Sequence, residues 1–229
     1  GGKKRGIGGG EGIREIGGDE GNMWRGEEKK GDKGEIGGKQ NKTKQKIKTM
    51  YKAGHEYLLG FKITVAVYDY TVEFCQRWVG KYSRTKDQME QAARSGSQNI
   101  AEGNKQQSLK GYIKLVGVAR GSLEELLKDY QAFARQNKIQ IWEGEKCKRE
   151  IREIGEIWGI IKNNPALPDN PNFPYLPQDQ TKAVNLLITL VSQANYLLDK
   201  LGESLKEKHR KEGGFTEKLY RERKEYRGY

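Results

Sequence analysis

The chain has 229 residues, 34% of them hydrophobic, which suits one ordinary domain with appendages better than two full domains. Charged residues make up 32% and the formal net charge is +12, a balance that favours polyanionic partners through long-range attraction and counterion release. No stretch approaches the roughly 18 consecutive apolar residues of a membrane span. We therefore expect a protein that does not bind a membrane. The two cysteines lack the spacing of a zinc site or a disulfide framework, so we expect a cytoplasmic protein.

Residues 1–49 differ in composition from the rest of the chain. They hold half of its 30 glycines, many charged residues and few aromatic or aliphatic ones. Such a segment cannot bury enough surface to offset the entropy lost on ordering, so we predict that it is disordered. The chain does not begin with Met, while Met50 stands just before the composition changes. We therefore expect that part or all of 1–49 is upstream sequence and not a functional tail.

From Phe61 onward the pattern becomes helical. Apolar residues recur at alternating spacings of four and three, which places them on one stripe of a helix, and a second stripe lies beside it. A face this wide indicates a helix that packs against several neighbours. The first stripe comprises Phe61, Val65, Tyr68, Val72, Cys75 and Val79, and the second comprises Val67, Thr71, Phe74 and Trp78.

Two further helices follow at short intervals. Thr85 and Gln88 predict a capping box at the start of the second helix, and Gly103 is the predicted stop at its end. Ser108 is the predicted cap of the third helix, which runs to about Gln136 and so spans roughly 40 Å. The inner face of the second helix is predicted to be Met89, Ala93, Gly96, Ile100 and Gly103. The stripe of the third is Leu109, Ile113, Val116, Leu123, Leu127 and Tyr130, widened by Tyr112, Leu115, Ala119, Leu126 and Phe133.

The last third of the chain begins with a change of pattern. A shorter helix is predicted over 145–161, and five prolines then exclude a helix from 165–177. A long fourth helix begins near Thr181, ends at Gly213 and Gly214, and precedes a short basic amphipathic tail. The stripe of the fourth helix is Ala183, Leu187, Leu190, Ala194, Leu197 and Leu201.

The predicted fold is all-α. Short links between the first three helices force them antiparallel, and the long Pro-rich segment can return the fourth helix alongside them. We therefore predict an antiparallel up-down four-helix bundle with an inserted short helix, a Pro-rich loop and a helical basic tail. The bundle is assigned to 50–208 with an insertion at 141–177, and the basic suffix to 209–229.

Two segments have a sequence more specific than the apolar pattern of a generic helix. They are Ala92–Gly103, with the sequence AARSGSQNIAEG, and Val118–Leu126, with the sequence VARGSLEEL. Together they resemble the signature of the four-helix bundle proteins encoded in intervening sequences of bacterial 23S ribosomal RNA genes. Further likenesses are Tyr68–Cys75, Ser83–Thr85, and the segments Gln193–Asp199 and Glu212–Arg227, which are similar to the subgroup with a C-terminal suffix extension. The resemblance covers about Met50 to Arg227.

This resemblance implies the fold and a class of partner. The intervening-sequence proteins have no established activity. A related branch is the accessory variability protein of diversity-generating retroelements, a homopentamer that binds nucleic acid and partners a reverse transcriptase. The resemblance therefore implies a homo-oligomer, a pentamer, that binds RNA or DNA as an accessory to a reverse transcriptase, another nucleic-acid enzyme or an rRNA-associated element. The Gly-rich N-terminus and the inserted segment 141–177 depart from the compact family pattern.

Five polar residues stand among apolar or small residues of the second and third helices. Catalysis would need a nucleophile with a base, or paired carboxylates in a cleft. We interpret them instead as a structural network in which the arginine pairs with a carboxylate and the amide or hydroxyl bonds between helices. They are Asn99, Glu102, Arg120, Ser122 and Glu125. Both histidines fall outside the predicted core, so we expect no metal, no cofactor and no enzymatic activity.

The basic residues carry the functional prediction. The antiparallel topology gathers Lys105, Lys110, Lys114, Lys200, Lys206, Lys208, Arg210 and Lys211 at one end, with the tail residues Arg221, Arg223 and Arg227. The other end collects Arg77, Lys81, Arg84 and Lys86, with Arg135 and Lys138. Residues 206–229 contain nine Lys or Arg against five Asp or Glu. Tyr220, Tyr226 and Tyr229 alternate with the arginines of this segment. Such a mixture of residues can bind backbone phosphates and stack on exposed bases.

Two functions remain open at this point. The first is a non-enzymatic, oligomeric protein that binds the backbone of RNA or DNA with little base readout. The alternative is a protein–protein adaptor that docks a partner without binding nucleic acid directly. The adaptor would keep its partner after nuclease treatment and after neutralisation of Lys206, Lys208, Arg210 and Lys211.

Overall fold

The computed structural model describes residues 52–228, and every regular element in that range is helical. The prediction of an all-α fold is therefore confirmed for this range. The predicted disordered segment 1–49 and Tyr229 lie outside the described residues. A 3₁₀ turn at Gly54–Tyr57 precedes seven α-helices: α1 Leu59–Trp78, α2 Arg84–Asn104, α3 Leu109–Gln136, α4 Gly144–Glu150, α5 Arg152–Asn163, α6 Gln180–Glu212 and α7 Phe215–Arg227.

Four long helices share the core. Helix α1 contacts α2 and α6, and α3 contacts the same two helices. At the centre, the ring of Phe74 packs against Tyr130 and Phe133, with centroid distances of 5.1 and 5.0 Å. The buried hydroxyl of Tyr130 donates to Thr71 Oγ1 at 2.9 Å, and Thr71 donates in turn to the carbonyl oxygen of Val67. Each polar atom of this pair therefore has a partner inside the core.

The buried face of α1 is not the one that the main apolar stripe predicted. Of that stripe only Cys75 is fully buried, while most residues of the second stripe are. A strict alternation of four and three gives a period of 3.5 residues, which drifts around a helix of 3.6 residues per turn. The real face also contains Lys62, Thr64 and Ala66, which a search for large apolar residues passes over.

The helix ends agree with the sequence at some positions and not at others. Ser108 caps α3, because its Oγ accepts from the backbone nitrogen of Gly111 at 3.1 Å. Gly213 ends α6 with a φ of 77°, a left-handed conformation that favours glycine. The capping box predicted at Thr85 is wrong, since Ser83 is the N-cap and its Oγ accepts from the nitrogen of Thr85.

Gly103 does not stop α2. The helix ends one residue later, at Asn104, and Lys105 keeps a right-handed backbone (φ −84°, ψ −7°) instead of a positive φ. A Cβ at Gly103 would lie 2.9 Å from Cε2 of Tyr112 and closer still to Cδ2. The glycine is therefore required for the close approach of α2 to the start of α3, and not for a change of chain direction.

The insertion contains two helices where one was predicted. Ile151 has an extended backbone (φ −119°, ψ 92°) that separates α4 from α5, and it is fully buried. The break lets α4 pack on α6 while α5 packs mainly on α1. The stretch between Asn164 and Asp179 has no helix, as its prolines predicted.

Side chains of the core helices hold the insertion in place. Lys62 is 3% exposed, and its Nζ donates to the carbonyl oxygens of Ile161 at 3.1 Å and Asn164 at 2.7 Å, at the end of α5. Cations interact favourably with the carbonyl end of a helix. Arg77 donates to the carbonyl oxygens of Leu176 and Pro177 and so fixes the end of the Pro-rich segment.

Within residues 52–228, no helix combines the length and the apolar character that crossing a bilayer requires.

Candidate nucleic-acid interface

The end of α6 carries a run of exposed cations. Leu205 is the last buried residue of this helix. Beyond it the helix continues for two turns without an apolar contact surface, and its long side chains extend into solvent. The exposed cations there are Lys206, Lys208, Arg210 and Lys211.

The start of α3 contributes cations to the same end. A Cβ at Gly202 would lie 3.9 Å from Cγ1 of Val116, and Arg120 Nε lies 3.1 Å from Oδ1 of Asp199. These two contacts place the first half of α3 beside the second half of α6. The exposed side chains of Lys105, Lys110 and Lys114 precede the first of these contacts. We call these three residues and the four cations of α6 beyond Leu205 the basic surface.

Some of the cations on α6 are partly neutralised. Lys211 lies 2.8 Å from Glu207, Lys208 lies 3.9 Å from Glu212, and Lys200, one turn before the basic surface, lies 2.8 Å from Glu203. The hydrogen bond from Lys211 lowers the pKa of Glu207, and the one from Lys200 lowers the pKa of Glu203. Such exposed pairs add little stability.

The other cations of the basic surface lie outside these ion pairs. Within residues 52–228, no carboxylate forms an ion pair with Lys105, Lys110, Lys114, Lys206 or Arg210. A phosphate can therefore approach these side chains without displacing an existing partner.

Helix α7 follows the basic surface after a tight turn. Arg221 donates to the carbonyl oxygen of Glu212 at 2.7 Å, and Lys218 lies 2.9 Å from the Glu212 carboxylate. Arg221 therefore fixes the turn between the helices. Helix α7 has no buried residue. It presents the exposed side chains of Arg223, Arg227, Tyr220 and Tyr226.

The second basic end is a weaker candidate. Arg77 pairs with Glu73 besides its bonds to the Pro-rich segment, and Lys86 lies 3.8 Å from Glu90. Lys81 lies exposed beside the ring of Tyr82. Arg84 lines an open groove of about 780 Å³ together with the carboxylates Asp87, Glu125 and Asp129. These carboxylates repel a polyanion, so this end suits nucleic acid less well than the basic surface.

The five polar residues of α2 and α3 do not form one network. Arg120 bridges Asp199 on α6 and Glu124, at 3.1 and 2.9 Å, and its hydrogen bond lowers the pKa of Glu124. Separately, Ser122 Oγ lies 2.9 Å from Ser95 Oγ, and Asn99 donates to that same Ser95 oxygen. Glu102 and Glu125 are exposed and take no part in either cluster.

The described residues form no metal-binding cluster, and their cysteines are buried. No group of three or more His, Cys, Asp or Glu side chains within 52–228 is arranged to hold a metal ion. Both cysteines are buried, and burial raises the pKa of the Cys75 thiol to about 12. A thiol with that pKa is protonated near neutrality and is a poor nucleophile.

A third surface was missed by the sequence analysis. Trp142, Trp158 and Tyr196 line an open groove of about 560 Å³ between the insertion and α6, over the apolar side chains of Ile188 and Leu197. We call it the aromatic groove. The sequence feature that could have indicated it is a lysine four residues after each ring, at positions 146, 162 and 200. The three segments are distant in sequence, so only the fold shows that they converge.

Residues 56–159 match the model of a family described as 23S rRNA-intervening sequence protein. The match begins in the turn before α1 and ends within α5, so the end of α6 and the whole of α7 lie outside it. Among curated proteins and among solved structures, none matches the chain.

Proposed function

We propose that this chain, whose residues 56–159 match the model of the 23S rRNA-intervening sequence protein family, is a non-enzymatic, oligomeric protein that binds the backbone of RNA or DNA. The basic surface is the binding site, and the protein reads little base sequence. The observation that carries the proposal is that the link between α2 and α3, the start of α3 and the end of α6 bring seven exposed cations to one end of the core. Five of them have no carboxylate partner within the described residues.

The proposed scaffold is an antiparallel four-helix bundle of α1, α2, α3 and α6. Contacts along neighbouring helices support it. A Cβ at Gly60, near the start of α1, would lie 3.4 Å from Cδ2 of Leu198 in the second half of α6. Contacts between α2 and α3 fit helices that run in opposite directions. Ser95 pairs with Ser122, whereas Gly103, which is later in α2, lies against Tyr112, which is earlier in α3.

The spacing of the cations suits a polyanion. Lys206 and Arg210 are one turn apart on an exposed helix face, with roughly 5–6 Å between their Cβ atoms. Neutralising several phosphates releases condensed counterions, and this supplies most of the affinity of sequence-independent binding. Contacts to phosphates position a protein on nucleic acid but carry no base information directly. We therefore expect affinity without strong sequence preference.

A charge-neutralised variant tests the site. The change is Lys206→Gln, Lys208→Gln, Arg210→Gln and Lys211→Gln together, and the matched control removes the same charge at the second end through Lys81→Gln, Arg84→Gln, Lys86→Gln and Arg135→Gln. Fluorescence anisotropy with a labelled 20-nucleotide RNA and DNA measures the affinity. We expect the first variant to lose at least tenfold in affinity, and its slope against log salt to fall by about one for each lost phosphate contact.

The control distinguishes loss of a specific binding site from a general effect of lowered net charge. It should lose less than threefold, because it lowers net charge equally but leaves the basic surface intact. Equal losses in the two variants, or no loss in either, would show that the basic surface is not the binding site.

The proposed assembly is a homopentamer, by resemblance to the accessory variability protein of diversity-generating retroelements. Light scattering after size-exclusion chromatography should then give roughly five times the 26.1 kDa mass of one chain. A mass of one chain at micromolar concentration would reject the assembly and leave the binding site to be tested separately. A reverse transcriptase or another nucleic-acid enzyme is the proposed protein partner of the complex.

One observation favours the adaptor as a second candidate. Helix α7 has no buried residue, yet Phe215 and Leu219 lie one turn apart on it and are both exposed. An amphipathic helix with an uncovered apolar side suits a protein partner. The adaptor predicts a complex that survives nuclease treatment and the neutralisation of Lys206, Lys208, Arg210 and Lys211.

A further inference from the structure

The aromatic groove lies apart from the basic surface. Its rings come from three segments: Trp142 before α4, Trp158 in α5 and Tyr196 in α6. Tyr196 is 62% exposed, and the two indoles are half-buried. The groove volume of about 560 Å³ lies in the range of ligand sites in proteins.

Each ring of the groove is accompanied by a lysine. Lys146 Nζ lies 4.6 Å from the centroid of Trp142, Lys162 Nζ lies 5.5 Å from that of Trp158, and Lys200 Nζ lies 5.9 Å from that of Tyr196. A cation at this distance is attracted to the ring face. Each ring therefore has a cation beside it, and Lys200 also pairs with Glu203 at 2.8 Å. This positive charge favours an anionic ligand over a cationic one.

The groove is held in shape by buried hydrogen bonds. Asn185 is 1% exposed, accepts from the backbone nitrogen of Trp142 at 2.7 Å, and donates to the carbonyl oxygen of Gln140 at 3.0 Å. Trp158 Nε1 donates to Gln193 Oε1 at 2.8 Å. The backbone at Trp142 and the indole of Trp158 are thus fixed in advance, which reduces the ordering entropy that a ligand must offset.

The polar atoms of the groove are mostly engaged by the protein itself. The hydroxyl of Thr189 donates to the carbonyl oxygen of Asn185, and that of Ser192 donates to the carbonyl oxygen of Ile188, at 2.8 and 2.7 Å. Gln193 Oε1 is used by Trp158. Few donors remain to read the hydrogen-bonding edge of a ligand, so the groove offers ring faces and charge but little recognition of edges.

We propose that the aromatic groove binds unpaired bases of a single-stranded nucleic acid, while the three lysines beside its rings contact the adjacent phosphates, Lys200 in exchange for its pairing with Glu203. Every base has a π-face, so stacking on aromatic side chains is tolerant of sequence, and positive charge along the groove follows the backbone. Bases within a duplex are stacked on one another and cannot enter such a groove. The inference rests on the proposed function and adds to it a preference for unpaired strands.

The test compares two ligands and four proteins. The ligands are a labelled 15-nucleotide oligothymidylate, which has no secondary structure, and a blunt DNA duplex of the same length. The proteins are the full chain, Tyr196→Ala, Tyr196→Phe and the matched control Tyr82→Ala. Tyr82 is 94% exposed and has Lys81 Nζ at 5.6 Å from its ring, but it lies outside the groove.

We expect Tyr196→Ala to weaken binding of the single strand about tenfold, in the range found for loss of one stacked base. Binding of the duplex should stay within twofold, and Tyr196→Phe should restore the single-strand affinity because it restores the ring. Tyr82→Ala should change neither ligand.

Three results would overturn the inference while leaving the proposed function standing. In the first, Tyr196→Ala leaves single-strand binding unchanged. In the second, it weakens the binding of both ligands equally. In the third, it alters the mass measured by light scattering without altering binding, which would make the groove a protein contact. If the full chain binds neither of these ligands nor the labelled 20-nucleotide RNA at 50 mM salt, the proposed function itself fails.

Discussion

Helices α2 and α3 approach closely at Gly96, and this contact allows a quantitative prediction. A Cβ at this position would lie 2.7 Å from Cδ2 of Leu123 and 3.0 Å from its Cγ. Leu123 is fully buried in the core. The change Gly96→Ala therefore forces Leu123 or the α2 backbone to move.

Two opposing effects set the magnitude. Alanine stabilises a helix interior by about 1 kcal/mol relative to glycine, whereas overpacking a buried site costs about 1–3 kcal/mol. Because Leu123 has no exposed side into which it can turn, we expect the packing cost to win. The free energy of unfolding should fall by about 1–2 kcal/mol, which lowers the melting temperature by roughly 3–6 °C for a domain of this size.

Gly117→Ala is the matched control. Gly117 lies inside α3 and is exposed, and no atom outside its own helix backbone lies within 4 Å of a Cβ built there. Only the propensity gain remains, so this variant should be stabilised by about 0.5–1 kcal/mol. Urea unfolding followed by far-UV circular dichroism measures both variants. If Gly96→Ala is stabilised as much as Gly117→Ala, the close packing of α2 on α3 is refuted.

Three further predictions concern buried polar groups. Lys62→Met should lower the free energy of unfolding by about 1–3 kcal/mol, because two carbonyl oxygens at the end of α5 lose their donor; an unchanged urea midpoint would contradict this. Tyr130→Phe should cost about 1 kcal/mol through loss of its bond to Thr71, and a gain in stability would contradict it. Burial lowers the pKa of His55, so its contribution to stability is present above about pH 6.5 and is lost as pH falls through the lowered value. Urea midpoints at pH 7.5 and 5 should differ less in His55→Gln than in the unchanged chain, and an equal pH effect in both proteins would refute this role.

The sequence was most informative where one residue decides a local geometry. Ser108 and Gly213 mark helix ends because a hydroxyl satisfies an orphan backbone nitrogen and a glycine adopts positive φ, and both effects are local. The helix-free stretch 165–177 follows in the same way from its prolines.

The sequence was least informative where distant segments meet. The break at Ile151 arises because α4 and α5 pack on different helices, and no turn-forming residue marks it. Lys62 and Asn185 look like surface residues, yet they are buried and bond to backbone atoms about 100 and 45 positions away. The same holds for the aromatic groove, whose three rings become neighbours only after folding.

The candidate interface was predictable in part. Counting charges located the cations near 206–211. Which of them lack partners depends on the ion pairs of α6 and on the role of Arg221 at the turn before α7. Arg77 is also a predicted nucleic-acid contact, but its guanidinium donates to the carbonyl oxygens of Leu176 and Pro177 and so holds the Pro-rich segment.

The salt dependence of binding tests the central proposal most directly. The affinity of the full chain for a labelled 20-nucleotide RNA and the matching DNA should be measured by anisotropy between 50 and 200 mM salt. If the basic surface contacts six or more phosphates, the logarithm of affinity should fall linearly with the logarithm of salt concentration, by a factor on the order of 10³ or more. Absence of binding at 50 mM salt, or an affinity that does not change with salt, would contradict the proposal.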